Sequence, residues 1–151
     1  MFSALLCLMY AGQNLVNLNA AYNFVADVVT MSNHVVYPSS FGPAVHSPFL
    51  IAAMLVVIIV LEIIAGLVAA KGALDLWQAR SAGAEEFNNA KTFAVLGCGL
   101  ALVIWFGLFA AIGGAYFQMW QTELGAGVLQ GAFQYAVLSG IVLLFVNSPD
   151  V

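Results

Sequence analysis

At 151 residues, with 64% hydrophobic and 7% charged residues and a mean hydropathy of +1.02, the chain is far too apolar for a soluble domain, since soluble chains carry roughly 25% charged residues. Three bases against seven acids give a formal net charge of −4, which excludes the basic footprint that nucleic-acid binding requires. Cys7 and Cys98 stand in apolar runs at no metal or redox spacing and read as small packing residues.

The first apolar run, residues 1–18, is "MFSALLCLMYAGQNLVNL", which turns mixed at Gln13, Asn14 and Asn17. With no basic n-region and no A-x-A cleavage pattern, it is expected to be a short first transmembrane helix rather than a signal peptide. After it, "AAYNFVADVVTMSNHVV" places Tyr22, Val25, Val29 and, less well, Ser32 on one helical face, with Phe24 and Val28 beside them. That pattern predicts an amphipathic helix on the membrane surface. Pro38, Pro43 and Pro48 make the return irregular, and Pro48 suits the first turn of the next helix. Spans at residues 49–70, 92–117 and 128–146 follow, the last stopped by "NSPD". Each is long enough, at about 1.5 Å per residue, to cross a hydrocarbon core of about 30 Å. The expected fold is a single all-α domain over residues 1–151. It is an integral membrane four-helix bundle with a partly helical extracytoplasmic loop between spans 1 and 2.

All three bases, Lys71, Arg80 and Lys91, fall in or beside the connection between spans 2 and 3. By the positive-inside rule that connection is cytoplasmic, as are both termini, and residues 19–47 and 118–127 lie outside.

Glu62 is the one charge in its span, about 21 Å along the helix from Pro48. A carboxylate at that depth costs on the order of 2.5–3.5 kcal/mol, so it must face protein or a water-filled cavity. Ser139 is expected at a compatible depth to hydrogen-bond it. Glu62 can be read as a proton-relay or ion-binding carboxylate, or as a protonated acid hydrogen-bonded across a helix interface. The second is favoured, because a relay needs further ionisable groups within the membrane and the other spans supply none. Gly66 and Ala70, the pair Gly113–Gly114, and Gly127 with Gly131 have the spacing of close helix contacts. Tyr116, Phe117, Trp120 and Gln121 are expected at the membrane boundary, as interfacial anchors or a partner contact. His34 and His46 read as ordinary loop residues, and no metal site, catalytic triad, P-loop or dinucleotide fingerprint is present in the sequence.

Several blocks occur together in order: "NLVNLNAAYNFVADVVTM", "HSP", "LE", "KGALDLWQAR" with "EFNNAKTFAVLG", "AYFQMWQT", "AFQ" and "FVNSPD". In this the chain closely resembles an uncharacterised bacterial family of predicted small integral membrane proteins, a domain of unknown function with four spans. The resemblance covers nearly the whole chain and is most specific at its C-terminal end. It implies the four-span topology and carries no reaction with it. One departure is Gln134, where an arginine is expected beside "AFQ".

The leading functional expectation is a noncatalytic accessory subunit of a larger bacterial inner-membrane complex, related to electron transport or oxidation. Its partners are the lipid bilayer and other membrane subunits. No cofactor is predicted, beyond bound lipid or a quinone or pigment contact shared with a partner. The alternative is a homo-oligomeric transporter or channel using Glu62. A third reading is a quinone-binding membrane enzyme using Trp105, Tyr116, Trp120 and Glu123.

Overall fold

The computed structural model describes residues 1–37 and 39–150. Pro38, one of the prolines expected to break the loop, and Val151 lie outside them. The elements are α1 (Phe2–Val16), α2 (Leu18–Thr30), α3 (Pro48–Gln78), α4 (Ala84–Ala90), α5 (Thr92–Leu102) with a π-helical continuation (Val103–Tyr116), and α6 (Glu123–Asn147). The fold is an all-helical membrane bundle, with no strand among the described residues.

Among the described residues, three helical stretches are long and apolar enough to cross a membrane: Pro48–Ser81, Ala84–Tyr116 and Glu123–Asn147. The fourth expected span is shorter. At 15 residues, α1 extends about 22 Å, less than the hydrocarbon core. It stops where Asn17 leaves helical geometry and its side-chain amide donates to the Gln13 carbonyl (3.0 Å).

α1 and α5 pack antiparallel along α3. Leu8 of α1 lies over Gly66, while Ala69 and Gly72 of α3 meet Gly97 and Ala94 of α5. The third span stands between α3 and α6, so these two make no substantial contact. Beyond Ala70, where the apolar run was expected to end, α3 continues to Gln78 because Lys71 and Asp75 pair one turn apart (2.7 Å) and Lys71 lies 4.0 Å over the Phe93 ring. The last helix also begins earlier than its apolar run. Thr122 caps it by accepting from Gly125 N–H (3.0 Å), and Glu123 occupies the first turn.

In α2 the expected face is the one that packs, with Val25, Val28 and Val29 buried. They meet Ile51, Leu55 and Ile59 of α3, together with Phe117 and Met119. The apolar face is thus covered by protein rather than laid on lipid, and Ser32 falls beyond the helix and is exposed.

Two of the sequence blocks singled out above meet at the basic end. Lys91 is buried and donates to the Ser148 carbonyl (2.5 Å) and Asn88 Oδ1 (2.8 Å), and it forms an ion pair with Asp150. Asn88 Nδ2 donates to the Asp150 carbonyl, and Asp150 N–H donates to Asn88 Oδ1, both at 3.1 Å. "FNNAK" and "NSPD" are therefore two halves of one latch that fastens the C-terminal tail. Lys91→Met should strand the Ser148 carbonyl and free the tail. Faster carboxypeptidase trimming than in the parent is the expected readout.

Candidate functional site

Glu62 is 1% exposed. Its Oε2 accepts from Asn14 Nδ2 at 3.0 Å, and its Oε1 has no partner among the described residues. Ser139 is equally buried but is not the donor. It sits beside Gly140, which faces Leu102 of α5, with the third span between it and α3. Asn14 reaches Glu62 because α1 runs directly along α3.

Glu62 and Asn14 line an open groove between α1 and α6, with a volume of about 800 Å³. Trp105 and Phe109 also line it from the third span, beside Tyr10, Tyr135 and Phe24. Along α6 its wall runs from Glu123 to Tyr135, about 18 Å. Toward the basic end the Tyr10 and Tyr135 hydroxyls hydrogen-bond across it. Both tyrosine rings pack against Trp105, with centroids 5.2 and 5.1 Å away, an arrangement that suits aromatic quadrupoles. Trp105 is 3% exposed, and its Nε1–H also has no partner among the described residues.

The π winding shapes this wall. Phe117 N–H bonds back five residues to Ile112 O (2.9 Å), and Trp105 and Phe109 lie against one another within the wound segment (5.2 Å). π-Helix is rare, and its usual single-turn form, the π-bulge, is frequent at functional sites.

A second, apolar cavity of about 320 Å³ lies among α2, α3 and the third span, and Phe24 and Phe109 line both spaces.

The residues expected at close helix contacts divide between such contacts and the groove. Gly66 receives Leu8; Gly113 and Gly114 receive Met119 and Leu129. Ala70 is half-buried, and its neighbour Ala69 makes the approach to Gly97. Gly127 has open space around it and Gly131 meets only Tyr135 of its own helix. Both line the groove between α1 and α6.

The residues expected at the membrane boundary also make contacts within the chain. Phe117 is core. Gln121 Oε1 accepts from the Val36 and Tyr37 amides (2.8 and 2.9 Å), and its Nε2 donates to Gln118 Oε1 (2.6 Å). Trp120 packs edge-on against Tyr37, Tyr116 packs against Phe41, and the Tyr116 hydroxyl donates to the Pro43 carbonyl (3.4 Å). An irregular loop must satisfy its backbone somewhere, and "YFQMWQ" clasps it. Gln121→Ala removes both acceptor contacts at about 1 kcal/mol each. Faster hydrogen exchange confined to Val36 and Tyr37 is expected.

His34 and His46 do not come together with any metal-ligating cluster, and none is formed among the described residues. Burial without a partner holds His34 below its ordinary value. Cys7 and Cys98 are buried and free.

Sequence reasoning missed Asn14, Tyr10 and Tyr135. A signal for Asn14 was present: the polar residues that make the first segment look incomplete include the one that meets Glu62.

A family model described as "Predicted small integral membrane protein (DUF2165)" matches residues 1–149. No curated protein and no solved structure matches the chain.

Proposed function

This chain belongs to that family of small integral membrane proteins, and we propose that it is a noncatalytic accessory subunit of a larger bacterial inner-membrane complex, of the kind that carries out electron transport or oxidation. The observation that carries this reading is the open α1–α6 seam. One flank is a helix of only 15 residues, and the seam leaves Glu62 Oε1 and Trp105 Nε1 without partners among the described residues. In lipid an unsatisfied polar group costs several kcal/mol. Association between membrane helices rests on packing and polar contacts rather than on a hydrophobic drive. A seam of this kind is completed from outside the chain, by a neighbouring subunit across its mouth and a lipophilic molecule along its floor. With the basic end cytoplasmic under the positive-inside rule, the Glu123 end of the groove opens on the opposite side and both termini are cytoplasmic.

Extraction from native membranes in mild detergent, followed by mass spectrometry, is expected to recover further membrane polypeptides with this chain. A monodisperse particle containing this chain alone contradicts the proposal.

One observation favours transport as the second reading: the groove leads from Glu123 down to Glu62, as an access path to an intramembrane carboxylate would. Toward the basic end lies a packed cluster that includes Cys7, Ala65 and Ala101, so a conducting form must open that end. Glu62-dependent flux in liposomes is expected under this reading, and its absence removes it.

A further inference from the structure

We infer that the floor of the α1–α6 groove binds a neutral amphiphile whose head presents carbonyl oxygen to Trp105 Nε1–H and the Glu62 carboxyl, with its apolar tail in the cavity beneath α2. The inference rests on the reading of the seam as a binding face and names the chemistry of its ligand.

The hydrogen-bond inventory decides the polarity of the head. Asn14 donates to Glu62 Oε2 (3.0 Å), so that oxygen acts as the acceptor. A charge at this depth is expensive. In the neutral acid the accepting oxygen is the carbonyl one, which leaves Oε1 as the hydroxyl, a donor. An indole N–H is only ever a donor. Both residues are at least nine-tenths buried and line the groove, and these two atoms lack partners among the described residues. Two donors without acceptors select an acceptor-bearing head and disfavour an ammonium or amide N–H.

The surroundings decide the rest. Tyr10 and Tyr135 pack about Trp105 and offer aromatic faces to a flat or compact head. Phe24 and Phe109 line both the groove and the apolar cavity of about 320 Å³, so the two spaces adjoin at these rings and a tail that turns them aside enters the cavity. Carbonyl with an apolar tail describes both an alkylated quinone ring and the ester region of a diacyl lipid.

The two sources separate by thermal unfolding of the purified chain in nonionic detergent, with decylubiquinone, dioleoyl phosphatidylglycerol or a carbonyl-free decyl hydrocarbon added. A ligand that binds only the folded state raises the midpoint. A rise of a few degrees with decylubiquinone assigns the ring, and a rise with the phospholipid alone assigns the ester. Either supports the inference if Glu62→Leu and Trp105→Phe each weaken the apparent affinity about tenfold, the scale of one lost hydrogen bond. Glu62→Gln, which keeps an acceptor for Asn14 and a donor for the ligand, should retain the shift. Trp105→Phe keeps the ring and is informative even where Glu62→Leu does not fold.

The inference is overturned by no shift from either carbonyl compound, by an equal shift from the hydrocarbon, by a shift that both variants leave unchanged, or by its loss in Glu62→Gln. These outcomes are read on the isolated chain. They stand apart from the copurification result, in which partners can be present while the amphiphile is not.

Discussion

Gly72→Val and Gly97→Val should each prevent α3 and α5 from docking, and the expected result is loss of the monodisperse, folded species on size exclusion in detergent. A Cβ at Gly72 would fall on the backbone of Phe93 and Ala94, and one at Gly97 would stand 2.6 Å from both Cα and N of Ala69. Backbone on the facing helix has no rotamer to change. Overpacking in cores typically costs about 1–3 kcal/mol and occasionally more, and here two helices must separate along their length. Lipid supplies no hydrophobic drive to bring them back. Gly66 provides the graded comparison. Its closest neighbour is the side-chain Cγ of Leu8, 2.5 Å from the added carbon, so Gly66→Ala should be milder because much of the obstacle can turn away. Gly127→Ala meets nothing within 4 Å and should leave stability unchanged within about 0.5 kcal/mol.

Trp105→Ala should have the next largest effect, on the order of 3–5 kcal/mol, seen as a lowered midpoint in thermal unfolding. The indole is 3% exposed and belongs to the cluster that includes Cys7, Ala65, Ile104 and Ala132. It also touches Tyr10, Phe109 and Tyr135. Its removal joins the groove to the core, and the small residues around it have too little side chain to refill the space. Trp105→Phe should recover most of the loss, since its ring still meets the two tyrosines. Packing and hydrogen bonding thereby separate at one position, with stability following the ring and ligand binding following the N–H.

The membrane class, the three long spans and the apolar face of α2 are legible in the sequence because hydropathy and helical period are local properties. Glu62 is legible for the same reason, as a lone carboxyl in an apolar run whose burial has to be compensated. Its partner is not. Depth alone makes Ser139 as suitable as Asn14, and the choice turns on which helix adjoins α3, which no local pattern encodes. The small-residue motifs show the same limit. Gly66 and Gly127 look alike in sequence, yet one receives Leu8 and the other lines the groove with open space around it. The π winding of residues 103–116 has no sequence signal that we can identify. The aromatic block at residues 116–121 fits a membrane belt by composition. It also clasps a loop whose amides Gln121 accepts, a contact visible only once loop and block are side by side.

Binding in the α1–α6 groove is the central claim, and a crystal structure of the full chain grown from a lipid mesophase tests it most directly. The account predicts elongated non-protein density, with its head between Trp105 and Glu62 and its tail passing Phe24 and Phe109 to lie beneath α2. A groove closed by α6 against α1, or filled by a side chain or helix from a second copy, contradicts it.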